Sequence, residues 1–169
     1  MLQRLHEFGL NVKPSKCVLF RTEIKFLGHL VSAAGVQPLP DKVSAITDRP
    51  TPHCLRDVRA FYGLVGYYHR FIAGFATIAE LLARLTRKGT KFIWSSETDE
   101  AFARLKAAML EVPTLAFLCP DRRCILDTDS SDVAYGSVLS QLVDGQERPI
   151  AFVSRVMSPT QQNYCSTRR

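Results

Sequence analysis

Asp127 and Asp129 stand two residues apart in the run Cys124–Asp129, which reads as a β-strand, so both carboxylates point to one face. Asp132 follows in the turn. Hard divalent cations such as magnesium are held by one or two carboxylates, with water and substrate phosphate completing the shell. A strand that presents an aspartate beside a basic surface therefore suggests metal-assisted phosphodiester chemistry. The plain structural alternative is an edge strand with solvated acids. A working site also needs further carboxylates to converge on it. No later stretch supplies one, and Glu147 falls in a turn.

A second set lies in Leu55–Ile72, LRDVRAFYGLVGYYHRFI, the longest helical pattern in the chain. Leu55, Val58, Phe61, Tyr62, Val65 and either Tyr68 or Tyr67 make an apolar stripe at helical spacing. Arg59, Gly63 and Tyr67 form another row at i, i+4 and i+8. That row offers a cation, a bare backbone and an aromatic plane, the parts needed to follow a nucleic-acid groove. The alternative is a buried helix packed tightly against a neighbour at Gly63 and Gly66.

Other chemistry is thin. His6, His29, His53 and His69 are scattered with no partner at fixed spacing, and acid–base roles need one. Gly63 and Gly66 follow no strand, so they make no phosphate loop. The cysteines Cys17, Cys54, Cys119, Cys124 and Cys165 are odd in number and fit neither a zinc site nor a disulfide framework. Reduced thiols are expected, and with them an intracellular setting, cytoplasmic or nuclear. Lys and Arg number 22 against 16 acids, so a polyanionic partner suits the net charge of +6. No apolar run approaches the roughly 18 residues of a membrane span, so no membrane partner is expected.

The elements that must position these residues follow in order. Residues 2–9 read as an amphipathic helix (Leu2, Leu5, Phe8) ended by Gly9, and Cys17–Phe20 as a short strand. Glu23–Val31 alternates as a strand, with Gly28 marking a bulge or a closely approached backbone. It turns back at Ala33-Ala34-Gly35. Asp41 is placed to cap Lys42–Thr47, Asp57 sits in the first turn of the long helix, and Thr77 is placed to cap Ile78–Thr86, whose apolar residues are Ile78, Leu81, Leu82 and Leu85. These three helices suggest a small bundle. Phe92-Ile93-Trp94 is an extended anchor, and Ser96-Glu97-Thr98-Asp99 matches a capping box ahead of a helix to Leu110. Cys124–Asp129, Ala134–Leu142 and Pro149–Arg155 predict an antiparallel meander. Ser166 reads as the cap of one more helix.

In order and spacing, several stretches resemble the Pol polyprotein of gypsy-type long-terminal-repeat retrotransposons. They are GLNVKPSKCVLF, IKFLGHLVSAAGVQPLPDKVSAI, LRDVRAFYGLVGYYHRFIAGFATIAE, KGTKFIWSSETDEAFARLKAAMLEVPTLAF, ILDTDSSDVAYGSVLSQ and PIAFVSRVMSPTQQNY. The resemblance implies an α+β fold with a palm hairpin, a small helical thumb and a truncated ribonuclease H-like antiparallel meander. Residues 1–39 would be the end of a reverse transcriptase palm, 40–90 the thumb, 91–120 a connecting segment, and 121–169 the start of a ribonuclease H-like domain.

Phe26, Leu27, Gly28 and His29 would form the primer grip, and Arg59, Gly63 and Tyr67 would track the template–primer duplex. Asp129 would be the first catalytic aspartate and a ligand of Mg2+. The sequence departs from the family at Leu81-Leu82, where Pro-Leu is usual, and at Ser130, where Ala is usual. The resemblance places the polymerase Tyr-x-Asp-Asp ahead of Met1 and the ribonuclease glutamate just past Arg169. The parent would copy RNA into DNA and cut RNA–DNA hybrid, with the rest of the polyprotein as partner. The chain by itself is expected to bind template–primer or hybrid and to be catalytically incomplete. The other reading is a decayed or host-reused nucleic-acid-binding remnant without enzymatic activity.

Overall fold

Val58, Phe61, Val65 and Tyr68 recur every three or four residues, so a helix brings them to one edge, and all four are buried. The computed structural model describes residues 2–163. In it the helix α3 runs Leu55–Tyr67 and ends in a 3-10 turn at His69–Phe71, shorter than the Leu55–Ile72 read from sequence. The stripe left open between two tyrosines is settled: Tyr68 is 2% exposed and Tyr67 is 50% exposed.

Around that edge lie α2 (Pro40–Thr47), α4 (Phe75–Leu85) and α5 (Ser96–Leu110). One core runs through Ile46, Phe61, Leu82, Phe102, Leu105 and Met109. The bundle expected from three helices therefore takes in α5 as well, and its core continues across residue 90. Phe61 meets Phe102 with ring centroids 4.4 Å apart, and Trp94 meets Phe102 edge-on at 5.8 Å. Burying each of the two phenyl rings is worth about 1.5–3 kcal/mol.

The N-terminal part holds α1 (Leu2–Glu7) and three strands, β1 (Glu23–Phe26), β2 (His29–Ser32) and β3 (Gly35–Pro38), in an antiparallel sheet of order β1-β2-β3. The single strand expected over Glu23–Val31 is thus two strands, folded back at Leu27-Gly28. The strand expected at Cys17–Phe20 does not form; Pro14–Lys16 is a 3-10 turn, and Phe20 is fully exposed with φ 57°.

The C-terminal sheet pairs β4 (Cys124–Ser130), β5 (Ala134–Val143) and β6 (Gln146–Val156) antiparallel in that order, the meander expected from the turn residues. Asp144 and Gly145 both take positive φ, 54° and 78°, as a two-residue hairpin requires. Glu147 lies on β6, not in the turn, and accepts a short hydrogen bond from the Ser140 hydroxyl.

Two residues after α5 stitch the halves together. Leu115 exchanges both backbone hydrogen bonds with Val36 of β3, each 2.8 Å, and the Ala116 N–H donates to the Pro149 carbonyl at 2.8 Å. Gly35 is needed there: its φ is 135°, and a Cβ would collide with the Leu115 carbonyl. The β6 strand also caps α4, because the Ser154 hydroxyl accepts the Ala76 N–H at 2.9 Å.

Three helix starts differ from those expected. The N-cap of α2 is Leu39, with Pro40 first inside and Asp41 in the first turn, not the cap. Gly74 in the left-handed region precedes α4, so Thr77 lies inside the first turn, and the buried residues are Phe75, Ala76, Ala79 and Leu82. Tertiary contact with β6, invisible locally, starts that helix early. Ser95, one residue before the expected box, caps α5 by accepting the Thr98 N–H at 3.3 Å. Cys165 and the cap expected at Ser166 lie outside the described residues.

Asp57 holds the entrance of α3, accepting the His53 N–H at 3.2 Å. Bonds from the Cys54 side chain and the His53 backbone hold its carboxyl below the ordinary carboxylate range. A depressed pKa stabilises the fold above the unfolded-state pKa, and that contribution is lost as pH falls through the folded-state pKa. Asp57→Ala is therefore expected to lower the melting temperature at neutral pH. The difference from the parent should vanish in acid, as followed by thermal denaturation across pH.

Candidate functional site

The outward edge of α3 carries Arg59, Gly63 and Tyr67 together, all three exposed. Nothing lies within 4 Å of where a Cβ would stand on Gly63 or Gly66. Tight helix packing at these glycines, the alternative weighed from sequence, is therefore ruled out among the described residues. Each glycine costs the helix about 1 kcal/mol relative to alanine with no internal contact to offset it. Arg59 makes one long hydrogen bond, 3.5 Å, to the Thr86 carbonyl at the end of α4.

The β1–β2 turn docks at the C-terminal end of this edge. Its central residues, Leu27 and Gly28, both have positive φ, 45° and 76°, the signature of a type I′ turn. For leucine that conformation costs about 1–2 kcal/mol, so something must hold it. The Tyr67 hydroxyl donates to the Leu27 carbonyl at 2.6 Å, and the Tyr68 hydroxyl donates to the Gly28 carbonyl at 2.9 Å. His29 Nδ1 lies 2.8 Å from the Leu27 carbonyl; a carbonyl only accepts, so this nitrogen carries a proton. The His29 ring packs on Tyr67, Tyr68 and Phe71 with centroids 5.4, 5.5 and 5.5 Å away. Burial, with the neighbouring Tyr67 phenol adding to it, pushes the Tyr68 phenol up and keeps it a donor at neutral pH.

Phe26 and Leu27 point outward from the turn, 60% and 71% exposed. The structure thus brings Phe26, Leu27, Gly28, His29 and Tyr67 together and leaves Gly63 one turn and Arg59 two turns back along the same helix edge. Gly28 lies in a turn rather than a bulge, and the groups that approach it are the chain's own Tyr67 and Tyr68. Sequence reasoning missed the part played by Tyr68. The adjacent Tyr67-Tyr68 pair was the available signal, since neighbouring positions on a helix end face different ways.

The acidic set is separate. Asp127 and Asp129 line one cleft between β4–β6 and the residues Ala73, Gly74 and Thr77 at the start of α4. Asp129 is exposed, lies opposite Gly136 in the sheet and accepts the Ser130 N–H at 2.8 Å. Among the described residues no group of three or more His, Cys, Asp or Glu comes together to hold a metal ion. The donor type suits magnesium, which one or two carboxylates hold together with water and substrate phosphate. Gln141, buried under the sheet, is another residue that sequence reasoning passed over. Its amide binds both backbone groups of Cys119 at 2.9 Å and the Arg122 carbonyl at 3.0 Å, fixing the approach to β4. The described cysteines, Cys17, Cys54, Cys119 and Cys124, are free. No helix among the described residues is long and apolar enough to cross a membrane.

This arrangement of hairpin, helices and meander is found within solved reverse transcriptases. A foamy viral protease-reverse transcriptase (the dRH form) solved with double-stranded DNA matches 98% of this chain and 29% of its own at TM-score 0.81 and 22% identity. A foamy viral protease-reverse transcriptase solved with an RNA/DNA hybrid matches 90% of this chain and 21% of its own at TM-score 0.76 and 21% identity. The model for the RNase H-like domain found in reverse transcriptase matches residues 94–169.

Among curated proteins, the Pol polyprotein from transposon 297 of Drosophila melanogaster is 38% identical over 162 residues, 95% of this chain. The Gag-Pol polyprotein of koala retrovirus is 33% identical over 159 residues, 94% of the chain. The chain spans 15% and 9% of the length of these two relatives. It is homologous to the reverse transcriptase/ribonuclease H region of retroelement Pol polyproteins.

The turn geometry carries its own test. Gly28→Ala places a Cβ 3.0 Å from the Tyr68 hydroxyl at a φ that side chains rarely adopt. It is expected to cost about 1–2 kcal/mol by denaturant unfolding. Gly9→Ala, also at positive φ but with open space around it, should cost no more than the backbone share of that loss.

Proposed function

We propose that this chain is the template–primer-gripping part of a gypsy-type retrotransposon reverse transcriptase, followed by the beginning of its ribonuclease H-like domain. Residues 1–39 end the palm, 40–90 form the thumb, 91–120 connect, and 121–169 open the nuclease. The observation that carries the reading is the exposed Arg59–Gly63–Tyr67 edge running into the Leu27-Gly28 turn. Two helix glycines with open space above them make sense where a bulky backbone comes close from outside. Arg59 supplies charge for a phosphate or sugar, and the exposed face of Tyr67 a plane for a ribose or base. The net charge of +6 favours a polyanionic partner. The solved relatives that carry double-stranded DNA and RNA/DNA hybrid support the same class of ligand.

The parent polyprotein would copy RNA into DNA and cleave the RNA of the hybrid, inside the cell, in cytoplasm or nucleus. In the nuclease, Asp129 would be one carboxylate ligand of Mg2+, which when bound supplies charge stabilisation at the scissile phosphate. In this reading the chain alone binds the duplex without cutting it.

Purified chain is expected to bind a recessed-end RNA–DNA duplex with an affinity that falls steeply with salt, measured by fluorescence anisotropy. Arg59→Ala should lower the slope of log affinity against log salt by about 1. Gly63→Ala should raise fold stability by about 0.5–1 kcal/mol and yet weaken duplex binding. Equal or tighter binding by that variant would remove the close-approach role. No magnesium-dependent hybrid cleavage is expected; cleavage abolished by Asp129→Asn would instead make the chain a nuclease in its own right.

A further inference from the structure

The Leu27-Gly28 turn is held at both of its central carbonyls, each by two donors. The Leu27 carbonyl accepts from the Tyr67 hydroxyl and from His29 Nδ1, at 2.6 and 2.8 Å. The Gly28 carbonyl accepts from the Tyr68 hydroxyl at 2.9 Å and from the Leu39 N–H at 3.2 Å. Tyr67 and Tyr68 close the helix α3, 40 residues further along the chain. Tyr68 is anchored in the core, and the His29 ring packs against both tyrosines and Phe71.

A two-residue turn with leucine at its first position has little intrinsic preference for this geometry, for which asparagine before glycine is favoured. Strained backbone persists where its surroundings over-determine it. Here the surroundings are the end of the very helix whose outward edge carries Arg59 and Gly63.

We propose that Tyr67 and Tyr68, with the His29 ring, are positioning residues that latch the hairpin tip to the end of α3, so that tip and helix edge meet nucleic acid as one rigid surface. The latch acts through the two turn carbonyls, and the exposed Phe26 and Leu27 side chains are what it aims. Motion of α3 then carries the tip with it, so displacement of one is displacement of both. This inference rests on the duplex-binding reading of the surface, but the latch itself does not require a ligand to be observed.

The test replaces only hydroxyls. Tyr67→Phe with Tyr68→Phe keeps both rings, and so any stacking, while removing the two hydrogen bonds. In the full 169-residue chain, amide exchange at Leu39, whose N–H donates to the Gly28 carbonyl, and at His29 is expected to speed up about tenfold on loss of two such bonds. Affinity for a recessed-end duplex should fall about tenfold with the salt slope unchanged, because no phosphate contact is lost. A role confined to general stability would instead speed exchange throughout the core and leave the affinity of the folded protein intact. Adding Leu27→Asn, which favours the turn by itself, should restore slow exchange.

Exchange at the turn that is unchanged in the double phenylalanine variant overturns the latch, whether or not the chain binds duplex. Faster exchange with unaltered affinity overturns its part in binding. A parent chain that fails to bind duplex removes the proposed function, and the exchange measurement then decides the latch by itself.

Discussion

Burial of one edge of α3 is the constraint on which the remaining structure depends. Val58, Phe61, Val65 and Tyr68 sit in a core shared with α2, α4 and α5, and close-packed interiors leave such residues no alternative position. Because an α-helix is rigid over thirteen residues, fixing its inner edge fixes its outer one. Arg59, Gly63 and Tyr67 are therefore presented outward by the same packing that hides Phe61. The helix end then fixes the hairpin, since Tyr68 belongs to the core on one side and holds the Gly28 carbonyl on the other.

The second organising contact is the short segment Leu115-Ala116. It hydrogen-bonds to β3 on one side and to β6 on the other, and it does so through backbone groups alone. Buried backbone donors and acceptors must be paired, so this segment joins two sheets that share no strand. With Ser154 capping α4 and Arg70 reaching the Ile150 carbonyl at 3.4 Å, the acidic cleft sits against the helical core rather than apart from it. Asp129 and the α3 edge thereby belong to one body, although they serve different chemistry.

Several elements were legible locally because their signals are local. The meander from Cys124 to Val156 follows from alternation and from Asp144-Gly145, a pair suited to positive φ. The stripe on α3 follows from its 3.6-residue period. Helix starts were not legible in the same way. α4 begins at Phe75 because β6 supplies an acceptor for Ala76, a fact about residues 78 positions apart. Glu23–Val31 alternates well enough to pass for one strand, and only the docking of Leu27-Gly28 on two tyrosines makes it two.

What the sequence determined by itself was the kind of chain this is and the residue types it offers. Periodicity, turn chemistry and ordered motifs point to an α+β chain, and it is homologous to the reverse transcriptase/ribonuclease H region of retroelement Pol polyproteins. Tertiary structure alone decided which tyrosine is buried, that Gly63 and Gly66 face open space, and that Gly28 is gripped from within the chain. The physical reason is range. Propensity and period act over a few residues, whereas burial and hydrogen-bond partners are set by groups tens of residues away.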